Sequence, residues 1–280
     1  MGMVVSEPNP ASPYTQLHIY YFQGRLAASF DSFGEHFIGN WEEGDTSFLF
    51  FSEPAGDQIA HLLAAQPQLT LEDQFCMTYD EWHGERVEPF RAGRFLIMPP
   101  WKIVPTRESD IPIILDPGVV FGAGSHPTTR DCLEAIEMLF GQEPIASTLD
   151  LGTGTGLLAI AAARLGSDQN IAVDNNFLAA RTARKNAGLN NLDNHVSIVC
   201  GLAEDFLEPA ADLLIANIHY DVMKHLIVRP GFLNKKWFIL SGLLRTEAGL
   251  IESRLTQMPV TLMEKWVKDG VWHTLCGRIN

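Results

Sequence analysis

The chain has 280 residues, 46% of them hydrophobic and 19% charged, with 34 acidic against 20 basic side chains and a net charge of −14. This length accommodates one large domain or two modest ones, and the composition is that of a folded globular protein. The negative charge disfavours direct binding to a phosphate backbone, and no run of about 18 apolar residues offers a membrane span.

In chain order, the opening M-G-M-V-V-S-E-P lacks a basic stretch followed by an apolar core, so a signal peptide is not expected. It matches a myristoylation pattern only at Gly2 and Ser6. Segments 16–22, 46–51 and 94–98 are apolar strand candidates, and 55–65 carries apolar side chains at helical spacing. Together they predict a small N-terminal α+β domain over residues 1–98. Residues 1–95 hold 14 acidic and 4 basic side chains, against 20 and 16 in the other 185. Such a charge either attracts a basic protein partner or serves solubility alone. Pro99-Pro100-Trp101 and the polar run 106–110 break the pattern, which places a linker at 99–112.

A second domain is expected over 113–280. Helix 127–140 opens with Pro127-Thr128-Thr129, a proline and hydroxyl start. A strand then reaches Asp150, and a glycine loop leads into helix 157–165. Strand 170–174 and helix 177–188 follow, then strands 196–200 and 212–218, helix 220–227, strand 237–241 and helix 246–254. This alternation implies a parallel sheet with helices on both faces. Segments 260–268 and 271–279 flank Asp269-Gly270, a two-residue hairpin signal. The four cysteines, Cys76, Cys132, Cys200 and Cys276, form no C-x-x-C pair and read as small apolar fillers in a reducing cytosol. A cytoplasmic location is expected. No metal-ligand spacing and no nucleophile elbow is visible.

The loop at 150–156 reads D-L-G-T-G-T-G. Its glycines allow a tight turn and close approach of a ligand to the backbone. Free N–H groups at the start of the next helix would favour an anionic group. A dinucleotide fold would show G-x-G-x-x-G, with the third glycine one residue later. Here the pattern is acidic-x-G-x-G-x-G, usual in S-adenosylmethionine enzymes. Asp174 ends the next strand, 24 positions after Asp150, where it is placed to accept hydrogen bonds from ribose hydroxyls. The terminal hairpin matches the closing strands of a Rossmann-like methyltransferase sheet better than an all-parallel dehydrogenase domain. The expected fold is therefore α/β: a Rossmann-like, seven-stranded class I methyltransferase sheet with its last strand antiparallel, preceded by the small domain.

Three further stretches carry a family resemblance: I-L-D-P-G-V-V-F-G-A-G-S-H-P-T-T-R-D at 114–131, D-L-L-I-A-N-I at 212–218 and F-I-L-S-G-L at 238–243. With the glycine loop, the chain resembles the bacterial ribosomal protein L11 methyltransferase family (PrmA) from about residue 94 to the end. The resemblance implies an N-terminal substrate-recognition domain, a linker and a catalytic domain. It implies transfer of methyl groups from S-adenosylmethionine to amines, α-amine or lysine, of a large-subunit ribosomal protein docked by the acidic domain. Carried over by position, it assigns cofactor contacts to Thr129, Gly152, Asp174 and Asn217, with Gly154 and Gly156 in the same loop. It places Phe121 and His126 in the signature loop, lining the pocket. The chain departs from the family pattern at Asn217-Ile218-His219-Tyr220 and at Gly-Ala-Gly-Ser 122–125.

Methyl transfer to nitrogen is mainly a positioning problem and needs a neutral amine. An α-amine, with pKa about 7.7–8.0, meets that need more easily than lysine at about 10.4. Asn217, at a strand end where open sheets bind ligands, is the catalytic candidate, orienting the amine; otherwise it forms a turn. Thr129 either donates to the cofactor or only starts its helix. His126 reads as a general base or as a packed histidine, and His219 and Tyr220 as acceptor-pocket or surface residues. Two other functions stay open. Base methylation is faintly suggested by Asn217–Tyr220, which lacks the two prolines of that motif. The other is a cofactor-binding assembly factor without catalysis.

Overall fold

A computed structural model describes residues 13–27, 33–120, 122 and 124–280. The chain divides into two compact units, Met1–Glu88 with Trp101–Ile103, and Pro89–Pro100 with Val104–Asn280.

The first unit contains β1 (Gln16–Gln23), β2 (Phe37–Glu43), β3 (Thr46–Phe51), α1 (Gly56–Ala65), β4 (Thr70–Thr78) and α2 (Tyr79–His83). The strands form an antiparallel sheet in the order β2-β3-β1-β4. Alternation along β1 and β3 sends Tyr20, Phe22, Leu49 and Phe51 to one face, where Ala55, Ile59 and Leu62 pack on them. Thr78 and Glu81 cap α2 reciprocally. Sequence periodicity shows β1, β3 and α1 but not β2 or β4. β4 is an edge strand with most side chains exposed on both faces, so it carries no apolar alternation.

The second unit opens with β5 (Phe90–Ala92), β6 (Phe95–Met98) and β7 (Ile111–Ile114), a three-stranded sheet in the order β5-β6-β7. The sequence places 94–98 with the N-terminal domain and 99–112 in a linker. In the structure, β6 pairs with β7, and Phe95, Ile97 and Ile113 join the second unit's core. Arg91 holds the Asp110 carboxyl below its ordinary range through a 2.8 Å ion pair, tying β5 to the residue before β7. Trp101, which belongs to the first unit, packs edge-on against Tyr79 of the same unit.

Then come α3 (Pro127–Phe140), β8 (Ser147–Leu151), α4 (Leu157–Arg164), β9 (Gln169–Asp174), α5 (Phe177–Leu189), β10 (Val196–Cys200), β11 (Ala211–Asn217), α6 (Tyr220–Leu226), β12 (Lys235–Leu244), α7 (Arg245–Leu255), β13 (Val260–Lys268) and β14 (Trp272–Ile279). β8 to β14 form a seven-stranded sheet in the order β10-β9-β8-β11-β12-β14-β13. β10, β9, β8, β11 and β12 are parallel; β14 runs antiparallel between β12 and β13. One face buries Leu133, Ile136, Leu157, Ile160, Ile215 and Ile239. The other buries Leu149, Leu214, Phe238, Met223 and Ile251. α4 is apolar all round because Leu157 to Ala162 are all buried. The expected seven-stranded fold with its antiparallel last strand and terminal hairpin is therefore what forms.

Lys235 opens β12 only 4% exposed. Its ammonium donates to the carbonyls of Leu207, Pro209 and Gly231 at 2.6, 2.7 and 2.9 Å. That closes the end of the sheet opposite the carboxyl tips of the parallel strands. A buried carbonyl that loses its donor costs about 1–3 kcal/mol. Lys235→Met is expected to lower stability by about 2–4 kcal/mol in chemical denaturation, with ligand affinity at 10 °C unchanged in calorimetry.

Candidate active site

The strand order reverses between β8 and β11: β9 and β10 lie to one side, β12 to the other. In open α/β sheets ligands bind at this reversal, beyond the carboxyl ends of the strands. Most of the residues singled out from the sequence lie along that edge.

The register pairs Leu151 with Val173, so the glycine bend after β8 lies beside the tip of β9. Gly152, Gly154 and Gly156 have φ of +71°, +55° and +83°. At Gly152 a Cβ would lie 2.2 Å from Ile218 Cγ2, and at Gly156 it would lie 3.0 Å from Ala183 Cβ. Both positions combine left-handed backbone with crowding that only glycine tolerates. Gly152 and Thr153 donate to the Val173 carbonyl, Gly154 to Asp174 Oδ2 at 2.9 Å, and Gly156 to the Thr153 carbonyl. These four amides are spent inside the bend, and in the first turn of α4 the Ala159 amide donates to the buried Asp150 carboxylate.

Asp174 is half-buried. Its Oδ1 accepts from the Asn176 amide at 2.9 Å and its Oδ2 from Gly154. Burial raises its pKa, and these two amides oppose the rise. Each oxygen keeps a further lone pair for another donor. Beneath the bend, Asp150 is wholly buried and accepts from Thr153 Oγ1 at 2.5 Å. Burial pushes its carboxyl up to about 7.

Across the reversal, Asn217 ends β11 with its Nδ2 donating to Thr129 Oγ1 at 3.5 Å. Gly242 of β12 makes room for it: a Cβ there would crowd Asn217 Oδ1 at 3.2 Å and the Ile218 carbonyl at 2.9 Å. Thr129 is buried in the first turn of α3, where His126 Nδ1 pairs with Thr128 Oγ1 at 2.8 Å. The His126 ring packs edge-on against Trp272, and burial lowers its pKa. His219 is exposed, and Tyr220 is half-buried with Lys224 Nζ 5.4 Å from its ring centroid. Phe121 lies outside the described residues. Among those described, no group of three His, Cys, Asp or Glu is arranged to hold a metal ion.

Two supports escaped sequence reading. Asn186 of α5 donates from Nδ2 to the carbonyls of Asp116 and Thr155, while Thr155 Oγ1 donates to the Gly122 carbonyl. This fastens the signature loop to the glycine bend. Lys185 adds an ion pair to Asp116 at 2.6 Å. The second support is a buried chain: Asp131 Oδ2 accepts from Thr274 Oγ1 at 3.4 Å, Thr274 pairs with Ser241 Oγ at 2.5 Å, and Ser241 reaches the Thr128 carbonyl at 3.5 Å. Ser241 in turn pairs with Asn217 in register. Contacts so remote in sequence leave no local pattern to read.

The sequence model of the family described as Ribosomal protein L11 methyltransferase (PrmA) matches residues 59–280. A protein of that name from Pelotomaculum thermopropionicum is 37% identical over 200 residues, covering 69% of this chain and 63% of its own length. One from Myxococcus xanthus is 30% identical over 239 residues, covering 84% of this chain and 78% of its own. A crystal structure of the ribosomal protein L11 methylase from Lactobacillus delbrueckii subsp. bulgaricus superposes with a TM-score of 0.60 at 27% identity, covering 69% of this chain and 98% of that one. The chain thus spans less than two thirds of the Pelotomaculum relative's length.

Asp131 yields a test of the buried chain. It is fully buried, and burial pushes its carboxyl up to about 6, Lys268 at 3.7 Å only partly offsetting it. The folded state therefore holds this proton more tightly than the unfolded chain, and stability is lost as pH rises from about 4 through about 6. Asp131→Asn removes that loss. Its stability relative to the parent is expected to be about 2–3 kcal/mol more favourable at pH 8 than at pH 4, measured by denaturation at both.

Proposed function

Because this chain belongs to the ribosomal protein L11 methyltransferase family, we propose that it transfers methyl groups from S-adenosylmethionine to an amine of a large-subunit ribosomal protein. The observation that carries this reading is the alignment of the Asp174 carboxylate, the glycine bend at 152–156 and Asn217 along one strand reversal. S-adenosylmethionine, when bound, supplies a methyl group on a positively charged sulfur.

The residues present fit that group. Asp174 has lone pairs left over from its two amide bonds, which suit a pair of ribose hydroxyls. Gly152, Gly154 and Gly156 carry the chain through left-handed backbone closely past Asp174, and Thr129 lies across the reversal beside Asn217. With Nδ2 committed to Thr129, Asn217 has Oδ1 free to accept an N–H of the incoming amine. That bond would turn the nitrogen lone pair toward the donor, a gain in orientation rather than in reactivity. Only the neutral amine reacts, which favours an α-amine over an unshielded lysine at neutral pH. We assign substrate recognition to the acidic first unit, which suits a basic protein and not nucleic acid, and place the reaction in the cytoplasm.

Incubation with labelled S-adenosylmethionine and the ribosomal protein, read by mass spectrometry, should show added methyl groups; an unmodified substrate rejects the reading. Asp174→Ala should weaken cofactor binding at least tenfold, about 1.4 kcal/mol or more, in calorimetry. Asn217→Ala should lower kcat about a hundredfold or more while changing cofactor affinity less than Asp174→Ala does.

A further inference from the structure

The signature loop before α3 is held by two separate elements. One is the glycine bend with its helix: Thr155 Oγ1 donates to the Gly122 carbonyl at 2.9 Å, and a Cβ at Gly124 would meet Leu157 Cδ2 at 2.9 Å. The other is β5, a strand of the small three-stranded sheet. The same Cβ at Gly124 would lie 2.7 Å from Phe90 Cζ. Gly124 is buried with φ of +90°, in a slot that admits no side chain.

Arg130 completes the contact with β5. It follows Thr129 in the first turn of α3, and its side chain runs back toward the helix start. Its Nε donates to the Ser125 carbonyl at 3.2 Å and one Nη to the Arg91 carbonyl at 3.3 Å. The guanidinium carbon lies 4.6 Å from the centroid of the Phe90 ring. The nearby Arg91 and Arg94 pair with Asp110 and Glu137, but among the described residues Arg130 pairs with no carboxylate. A half-buried guanidinium committed to two carbonyls and a ring is held for its shape, because an ammonium cannot meet all three at once. What it fixes leads to the candidate site. Ser125 precedes His126, whose carbonyl accepts the Thr129 and Arg130 amides at 3.1 and 3.3 Å and so starts α3. Thr129 is the hydroxyl that Asn217 Nδ2 reaches. The turn between β5 and β6 is tied to α3 independently, through the 2.7 Å pair of Arg94 with Glu137.

We propose that Arg130, seated on Phe90, is a positioning residue that fixes the signature loop and the first turn of α3 for cofactor binding. The inference rests on the function proposed above. It adds that part of the order of the cofactor site comes from β5, a strand outside the seven-stranded sheet.

The test uses the full chain. Arg130→Lys keeps the charge but not the planar fork, and Phe90→Leu keeps apolar bulk but not the ring. Each should raise the calorimetric Kd for S-adenosylmethionine about tenfold. The double variant should lose less than the product of the two, because the residues act as one unit. Without ligand, hydrogen exchange at the Thr129 and Arg130 amides should quicken in both single variants. Arg94→Gln is the control: it cuts the other tie to α3 and should lower the melting temperature, with cofactor affinity and these exchange rates as in the parent. Parent-like affinity in both Arg130→Lys and Phe90→Leu overturns the proposal, and so does a loss that Arg94→Gln shares in step with its melting temperature. A parent that binds no S-adenosylmethionine overturns the proposed function and the cofactor role of Arg130 together. Parent-like exchange in both single variants, with the parent binding S-adenosylmethionine, overturns the hold of Arg130 on the loop alone.

Discussion

The hydrogen bond from the Gly154 amide to the Asp174 carboxylate joins the tips of two neighbouring parallel strands, and the candidate site is arranged around it. It exists only if the chain turns through left-handed backbone directly after β8 and if an acid ends β9. Both requirements come from sequence, one as alternating glycines and the other as a single aspartate. The bond has a side effect on chemistry. By drawing an amide onto Oδ2, it opposes the burial that raises the pKa of Asp174, which favours the ionised form.

The opposite lip is built differently. Asn217 owes its position to tertiary neighbours: Thr129 in the first turn of α3, Gly242 on β12 and, behind them, the buried chain from Ser241 through Thr274 to Asp131. A Thr274 hydroxyl has one proton to give, and both Ser241 and Asp131 are within its reach. Asp131 therefore sits with weak partners in a dry place. This is the kind of local conflict that folds tolerate beside functional sites.

Much of the second unit was legible. Its strands are continuous apolar runs because both faces are buried, and its helices carry their own start signals, such as Pro127 and Asn176. Asp269-Gly270 announced the terminal hairpin. What could not be read were elements without a periodic apolar face, β2 and β4, and pairings across the presumed linker, where β7 finds β6 after an irregular excursion. For the candidate site, Asp174 and the glycine bend stand out by local motif. Asn186, Gly242, Thr274 and Asp131 do not, because their partners lie on other elements of the fold. Free amides were expected at the start of α4; the amides of the bend before it go to Val173, Asp174 and Thr153, partners that no local motif announces.

Ala183 looks interchangeable with any small helix residue, yet the Gly156 backbone approaches it so closely that an added methyl at 156 would touch both its Cβ and its Cα. Positions 156 and 183 therefore form a single size constraint shared between a loop and a helix 27 residues away. A larger side chain at 183 would lever the bend off α5 as surely as a change at the glycine. Substitution at Ala183 should thus be tolerated no better than substitution at the glycine it faces.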